Sequence, residues 1–352
     1  MLHEANNPGS HIHMSFFFFI CKRLIGIVFV VLGVSIITFI VSHLIPGDPA
    51  RLIAGDRATD EIVQAIREKL GLNLPLYEQY WIYLKGLVQG DLGTSIRTGR
   101  PVLQDLLTFF PATLELALVS LFMAVLIGVP LGVLSAVYKN QWIDQIARTM
   151  SVIGISMPAF WLGLGLIIVF YGHLSWLPGG GRLAQGMTPP PNISGFYLID
   201  SLLSAQWATF WSALKHIILP SITLSFVHLG VVARQIRSSM LEQLSEDYVR
   251  TAKAYVLSKW HVIIRHALPN ALIPSVTVLG LAMGDLLYGA VLTETVFAWP
   301  GMGLYVVDSI QALDFPAVMG FAVLVSFVYV LLNLCIDLLY LIIDPRIKEE
   351  GK

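Results

Sequence analysis

The sequence predicts an all-α, polytopic membrane protein with about six transmembrane helices, on three observations. First, 56% of the 352 residues are hydrophobic and only 13% are charged, whereas soluble domains carry roughly 25% charged residues. Second, six separate apolar stretches are long enough to cross a hydrocarbon core about 30 Å thick. Third, lysine and arginine cluster in alternate connections between those stretches, as the positive-inside rule describes. The formal net charge of −1 supplies no overall basic field, so nucleic acid is not an expected partner.

The first span follows a polar N-terminal extension. Residues 1–14 contain Gly, Pro and Asn but no apolar core of their own, so we expect them to be disordered. Lys22 and Arg23 then precede the uncharged run 24–45, whose length is about 33 Å at a rise of 1.5 Å per residue. A cleavable signal peptide would have a shorter apolar region and a small-residue cleavage site. We therefore interpret the run as an uncleaved transmembrane helix.

The first loop, residues 46–112, is expected to contain two helices. Thr59 suits the N-cap of the first, and Gly71 supplies a stop. The second begins near Pro75 and places four residues on one face, as is typical of a helix at the membrane interface. These are Tyr77, Tyr80, Trp81 and Leu84. Two roles stay open for this loop, namely a scaffold packed on the ends of the spans or direct contact with an external partner.

Five further spans meet the length requirement. They cover residues 116–138, 149–173, 213–233, 271–297 and 316–343. With six spans in total, both termini lie on the same side of the membrane. Lysine and arginine residues before the first span, in the second and fourth connections and after the last span indicate that this side is the cytoplasm.

Sequence patterns for catalysis and metal binding are absent. The only Gly-Lys pair is formed by the last two residues, Gly351 and Lys352, so the sequence shows no phosphate-binding P-loop. The nine histidines show no HExxH or comparable ligand spacing, and no G-x-S-x-G elbow with a nearby base stands out. We therefore predict no catalytic residue, no metal site and no ATP hydrolysis by this chain.

The fourth connection, residues 234–270, is amphipathic, and its pattern predicts two short helices separated by a cap at Ser258. The apolar face of the first comprises Tyr248, Ala252, Tyr255 and Val256, and that of the second comprises Leu257, Trp260, His261, Ile264 and Leu268. Apolar faces on a cytoplasmic loop need a partner. That partner is either a soluble subunit that receives a helix in a groove or the chain's own spans.

One carboxylate is predicted deep in the fifth span. Twelve residues separate Asp285 from the inner boundary near Ile273, which places it about 18 Å into the hydrocarbon core. Such residues usually face a bundle interior or a water-filled pathway, so we predict that Asp285, Tyr288 and Glu294 line a translocation pathway. Glu294 lies about 180° around a straight helix from Asp285, so a shared pore surface requires a break, for which Gly289 offers a place. A structural hydrogen bond from Asp285 to a neighbouring span is the alternative.

These residues carry a resemblance to a known family. The fourth connection resembles the EAA loop of ABC importer permeases, and the chain from Met14 to Ile347 resembles the dipeptide/oligopeptide/nickel permease family. Further matching motifs are Gly90–Pro101, Pro111–Leu116 and Glu294–Gly303. The segment Ala298–Gly320 is most similar to permeases for D,D-dipeptides such as D-alanyl-D-alanine. The resemblance implies a type I ABC importer permease fold, with a transmembrane permease domain over residues 15–348.

The resemblance also implies roles and partners. The fourth connection would be a coupling loop that docks on an ATPase subunit through Glu246, Asp247, Tyr248, Ala252, Val256, Leu257, Arg265, Pro269 and Asn270. The implied partners are a second homologous permease subunit, two cytoplasmic ATP-binding subunits and a periplasmic peptide-binding protein, all at the bacterial inner membrane. This chain would bind no cofactor, because ATP and Mg belong to the ATPase subunits. Its implied function is to couple ATPase closure to alternating access for dipeptides or other short peptides.

One position departs from the family pattern. Members generally carry glycine in the turn between the two loop helices, where this chain has Val256. If that turn needs a positive φ, a β-branched residue there costs about 1 to 3 kcal/mol. Either the turn is built differently, or coupling is weakened.

Two other functional classes are alternatives. An ion-gradient-driven secondary transporter would use Asp285 as its coupling carboxylate, although the inverted repeat that is common in such folds is not apparent in the sequence. An intramembrane hydrolase would require catalytic activity of the purified chain.

Overall fold

The computed structural model describes residues 8–44, 48–55, 57–255 and 258–343. Its helices, in chain order, are α1 (Pro8–Leu44), α2 (Pro49–Ala54), α3 (Asp60–Lys69), α4 (Leu76–Val88), α5 (Val102–Val137), α6 (Trp142–Ser156), α7 (Ala159–Leu166), α8 (Tyr197–Leu203), α9 (Trp207–Gln243), α10 (Asp247–Ala254), α11 (Lys259–Val262), α12 (Leu268–Val296), α13 (Met302–Gln311) and α14 (Phe315–Ile343). Two π-helical stretches, Ile167–His173 and Ile263–Ala267, continue α7 and α11. The predicted all-α class is confirmed.

The chain forms two compact units. The first comprises Met1–Leu103 and Leu313–Leu334, and the second comprises Gln104–Ala312 and Cys335–Lys352. Five helices in the described residues are long and apolar enough to cross a membrane, and the count is six if the bent pair formed by α6 and α7 is one span. The expectation of about six spans agrees with the second count.

In the first unit, α1 begins at Pro8, earlier than expected. Residues 8–14 are helical, whereas residues 1–7 of the predicted extension lie outside the described residues. α3 follows Thr59 and is terminated near Gly71, which has a φ of 66°, as predicted. The Thr59 side chain, however, makes no capping hydrogen bond.

Aromatic side chains attach α4 to α1. The ring centroids of Tyr80 and Phe39 are 5.3 Å apart, and Tyr80 Oη lies 3.0 Å from Ser35 Oγ. Tyr77 and Trp81 of the same predicted face are exposed. The packing of Tyr80 on α1 agrees with a scaffold role for the first loop. The exposed Tyr77 and Trp81 leave a surface with which an external partner could make contact.

The motif Gly90–Pro101 forms a turn that holds the start of α14. Asp314 is fully buried and accepts hydrogen bonds from Ser95 Oγ at 2.5 Å, Arg97 N at 3.1 Å and Ala317 N at 3.3 Å. One carboxylate thus satisfies backbone N–H groups of the turn and of the first turn of the helix, which otherwise lack partners. This motif, which carried part of the family resemblance, has a structural role within the unit.

In the second unit, α9 packs against α6, α7, α8 and α12. The buried face of α9 also meets α5 through a very close approach of the two backbones. A Cβ added at Gly132 of α5 would lie 2.6 Å from the carbonyl oxygen of Ala233 on α9. Only glycine allows this crossing, as is usual where membrane helices pack tightly.

The predicted third span is bent rather than straight. α6 meets α7 and its π-helical continuation at an angle of 103°. Met157, between them, has a ψ of 123°, the extended conformation that a residue preceding proline adopts, and Pro158 follows it. The predicted span over 149–173 is therefore not one continuous helix, because Pro158 ends the first half.

Two helices extend further than the sequence pattern indicated. α5 begins at Val102, inside the predicted loop 46–112. In the fourth connection, α10 is separate as predicted, but the second predicted helix is the beginning of one helical segment that runs from Lys259 to Val296. Ser258 caps that segment by accepting a hydrogen bond from His261 N at 3.4 Å.

Candidate functional site

The segment Ser245–Asn270 presents large apolar side chains to solvent. Tyr255 is 77% exposed, Ile264 is 56% exposed and Trp260 is 44% exposed. We name these three residues the apolar patch. Exposed apolar groups of this size, rimmed by polar residues, mark sites of protein–protein or membrane contact.

Charged and polar residues accompany the apolar patch. Six of the nine predicted docking residues are exposed in the same segment: Glu246, Asp247, Tyr248, Arg265, Pro269 and Asn270. Arg250 Nη1 lies 3.0 Å from Asp247 Oδ1 in a solvent-exposed ion pair. An apolar centre with polar neighbours has the composition of a protein interface.

Ala252 is directed into the protein. It is only 8% exposed and belongs to a buried cluster formed by Val249 and by residues of α5, α9, α11, α12 and the π-helical stretch between the last two. This half of α10 packs against the chain's own helices. Ala252 is covered by them in this arrangement, and Val256 and Leu257 lie outside the described residues.

Tyr248 ties three helices together. Its Oη donates to Gln243 Oε1 at 2.7 Å, and Asn270 Nδ2 donates to Tyr248 Oη at 3.1 Å. Gln243 is the last residue of α9, and Asn270 lies in the first turn of α12. Tyr248 thus connects α10 to both long helices.

A buried ion pair joins α6 to α9. Asp144 is fully buried and accepts hydrogen bonds from Arg237 Nε at 2.7 Å and Nη2 at 2.9 Å. Ser135 Oγ at 2.6 Å and Asn140 N at 2.9 Å complete its shell. The pair could not be identified from sequence, because its members are 93 residues apart and each resembles an ordinary surface charge.

One face of α12 is exposed along three turns. It carries Leu281, Asp285, Tyr288, Gly289 and Leu292. Tyr288 Oη donates to Asp285 Oδ1 at 2.5 Å. The buried imidazole of His228 on α9 lies within electrostatic range of Asp285. The structure thus brings Asp285 and Tyr288 together on one surface.

Glu294 does not share that surface. It is fully buried, and its oxygens accept hydrogen bonds from Thr113 Oγ1 at 2.6 Å and Leu304 N at 3.0 Å. Gly301 and Gly303 pack so closely on the carboxylate that a Cβ at either would overlap it. α12 also runs unbroken through Gly289. The break at Gly289 that a shared pore surface required is therefore not present, and Glu294 instead braces the segment that follows α12.

A second buried ion pair fixes the long connection between α7 and α8. Arg182 Nη2 lies 2.5 Å from Glu115 Oε2 and 3.0 Å from the carbonyl oxygen of Gly195. The guanidinium centre is 3.5 Å from the ring centroid of Tyr197. The pair could not be identified from the sequence, because nothing local indicates a partner 67 residues away.

Asp200, at the start of α8, binds residues of the same connection between α7 and α8. Its carboxylate accepts hydrogen bonds from Ser194 Oγ at 2.6 Å and from the backbone N of Ser194 and Gly195, both at 2.9 Å. Burial alone would raise the pKa of Asp200, but these hydrogen bonds together hold that pKa below its ordinary value.

The site combines exposed side chains, which another molecule can reach, with hydrogen bonds and ion pairs that join neighbouring helices. In the described part of the chain, no group of three or more His, Cys, Asp or Glu side chains is placed to hold a metal ion. The two ion pairs join charged groups to one another, and the carboxylate of Glu294 is bound by the Thr113 hydroxyl and a backbone N–H group. The Ser245–Asn270 segment and the face of α12 around Asp285, by contrast, carry side chains that are directed outward.

Two protein-family models match the chain. The binding-protein-dependent transport system inner membrane component matches residues 128–349, and the N-terminal part of the membrane component of binding-protein-dependent transport systems matches residues 16–117.

Individual proteins are similar over nearly the whole length. The probable D,D-dipeptide transport system permease protein DdpB of Escherichia coli strain K12 is 66% identical over 96% of this chain and 99% of its own. The glutathione transport system permease protein GsiC of Escherichia coli O6:H1 is 41% identical over 94% of this chain and 99% of its own. Among solved structures, an inward-facing conformation of the MetNI methionine ABC transporter is 18% identical, with a TM-score of 0.47 over 66% of this chain and 93% of that chain.

Proposed function

The chain belongs to the family of binding-protein-dependent transport system inner membrane components and is a permease subunit of an ABC importer, and from this premise we propose that it translocates D,D-dipeptides. The similarity to a D,D-dipeptide permease, 66% identity over 96% of the chain, is the observation that carries the substrate class. A relative named for glutathione stands at 41% identity. The gap between the two favours D,D-dipeptides over a different short peptide.

We assign ATPase docking to the exposed part of Ser245–Asn270. The apolar patch would enter a groove of a soluble ATP-binding subunit, in the helix-in-groove mode of recognition. Asp247, Arg250 and Arg265 would supply the polar rim. Ala252 has a positioning role in this scheme, because it seats α10 against the buried cluster.

Movement of the docked segment is the proposed coupling step. Closure of two ATP-binding subunits on ATP would pull α10, and the Tyr248 link would pass that displacement to α9 and α12. Because α12 also carries Asp285, the pathway surface would change its access from one side of the membrane to the other. ATP and Mg are bound by those subunits in this scheme, and this chain binds neither.

The remaining assignments concern the assembly and its orientation. We propose a type I importer fold with a second, homologous permease subunit and a periplasmic peptide-binding protein. Both termini and Ser245–Asn270 are assigned to the cytoplasmic side, because positive charge favours that face. The secondary-transporter and hydrolase alternatives have no support, since the chain belongs to a family of ABC importer components.

Uptake by proteoliposomes that contain the complete complex tests the proposal directly. The complete complex is reconstituted in proteoliposomes with the binding protein and radiolabelled D-alanyl-D-alanine on one side, and ATP on the other. ATP-dependent accumulation is expected, with competition by unlabelled D-alanyl-D-alanine stronger than by L-alanyl-L-alanine or glutathione. Preferential uptake of either competitor would replace the substrate class, and uptake driven by a proton gradient without ATP would overturn the mechanism.

A further inference from the structure

The exposed face of α12 holds an acidic group far from either end of the helix. Asp285 precedes the last residue of α12, Val296, by eleven positions, which is about 16 Å at the rise of an α-helix. Its side chain is exposed in this chain. A carboxylate at such depth is expensive against lipid and normally faces water, a partner or a ligand.

One oxygen of the Asp285 carboxylate, Oδ1, accepts a hydrogen bond that orients the group, and the other oxygen, Oδ2, does not accept one from the described residues. Tyr288 Oη donates to Oδ1 at 2.5 Å. Within the described part of the chain, Oδ2 accepts no hydrogen bond. Tyr288 follows Asp285 by three positions, so both side chains project from the same side of the helix. The pair presents one anionic acceptor in a fixed orientation.

Space for a ligand lies next to that acceptor. Gly289 follows Asp285 by four positions and therefore lies one turn away on the same face. A Cβ built at Gly289 would meet no atom within 4 Å, leaving aside its neighbours Tyr288 and Ala290 and the adjacent backbone of its own helix. The missing side chain at Gly289 thus leaves an open position on this face between Asp285 and Leu292, which we call the notch.

We propose that Asp285 and Tyr288 form a subsite that binds the free ammonium group of the dipeptide during its passage. A dipeptide carries one cationic amine, and a carboxylate that keeps an acceptor oxygen free is the complementary group, with charge-assisted hydrogen bonds about twice as strong as neutral ones. The apolar Leu281 and Leu292, above and below, suit the small alkyl side chains of such a peptide. This inference rests on the proposed function, because it names the part of the substrate that the pathway recognises.

A cysteine placed in the notch tests the subsite. In a complex whose permease carries Cys21→Ser and Cys335→Ser, Gly289→Cys is labelled with a charged, membrane-impermeant maleimide. Labelling is expected, because the notch is open, and D-alanyl-D-alanine is expected to slow it, whereas N-acetyl-D-alanyl-D-alanine, which lacks the amine, is not. Leu292→Cys on the same face is the second position if Gly289→Cys does not assemble.

Variants of Asp285 then distinguish binding of the dipeptide amine from simple access of the maleimide to the cysteine. Asp285→Asn should weaken protection by the dipeptide about tenfold or more, the cost of a lost charged hydrogen-bond partner, and Asp285→Glu should retain much of it. Equal protection of Asp285→Asn and of the parent, or protection by the acetylated peptide, would overturn the subsite. So would an unlabelled cysteine at both positions, which would mean that lipid or another subunit covers the face. Dipeptide uptake by the parent complex is measured in parallel, so that its absence reveals a failure of the proposed function itself.

Discussion

The two ends of α12 use charged residues in opposite ways. Beyond its C-terminal end, Arg182 and Glu115 form a pair whose side chains are 8% and 4% exposed. At its N-terminal end, Arg250 and Asp247 form a pair whose side chains are 72% and 92% exposed. The first pair also contacts Tyr197 and the backbone of the connection it holds. The second pair stands in solvent beside the apolar patch.

The difference separates groups that complete the fold from groups that await another chain. A buried charge must find its partner within the protein, because an unpaired charge in the interior is very costly. An exposed charge has no such constraint, and an exposed apolar patch gains stability only when a second surface covers it. The C-terminal side of α12 is therefore expected to be sensitive in folding, and the N-terminal side in assembly.

The largest effect should come from breaking the buried pair. Arg182→Ala leaves Glu115 charged and without its partner, which for buried pairs costs about 3 to 5 kcal/mol. The thermal unfolding of detergent-solubilised protein, followed by size-exclusion chromatography of a fluorescent fusion, measures the loss. Arg250→Ala is the matched control, because exposed pairs contribute only about 0 to 1 kcal/mol. Equal destabilisation by both variants would abolish the distinction between the two ends.

The next effect should appear in assembly without a change in folding. Trp260→Ala removes the largest side chain of the apolar patch, and aromatic hot spots at interfaces contribute about 2 kcal/mol or more. Affinity for the ATP-binding subunit, measured by titration of the reconstituted permease, should fall about thirtyfold. Trp207→Ala is the control, since Trp207 is also exposed, at 60%, but begins α9 at its other end. Unchanged affinity in Trp260→Ala would exclude the patch from docking.

A smaller effect is expected for the isosteric variant Glu294→Gln. The amide keeps one oxygen for Leu304 N and can donate to Thr113 Oγ1, so the network rearranges at a cost of about 1 kcal/mol. Because Glu294 is fully buried, dipeptide uptake should stay within about twofold of the parent once protein amounts are matched. Asp285→Asn is the comparison variant. A greater loss of uptake in Glu294→Gln than in Asp285→Asn would show that Glu294 also takes part in translocation.

Sequence reasoning reached the elements of the fold but not the contacts between them. Apolar length predicted the spans, and the Thr59 and Gly71 signals predicted α3, because both are encoded locally. The bend at Pro158 is also encoded locally, although apolar length alone does not indicate it. The Asp144–Arg237 pair and the Glu294 network depend on residues brought together across 93 and 181 positions. Periodicity placed Ala252 on the apolar face of α10 but could not tell whether that face met the chain itself or a partner.

The smallest effect should be a local one at Asp200. Since the hydrogen bonds hold the folded pKa below the value of about 3.9 that is usual for Asp, the stabilisation is present above that value and is lost as pH falls through the folded pKa. Hydrogen exchange in residues 193–206 should therefore be constant from pH 7 to about pH 4, after correction for intrinsic rates, and should increase only below it. Asp200→Asn cannot carry the charge, so its exchange should be faster at pH 7 and independent of pH. Asp247→Asn, at the exposed end, should leave the profile of residues 193–206 unchanged. An acid-induced increase that persists in Asp200→Asn would assign the opening to another group and would show that the connection between α7 and α8 does not depend on this carboxylate.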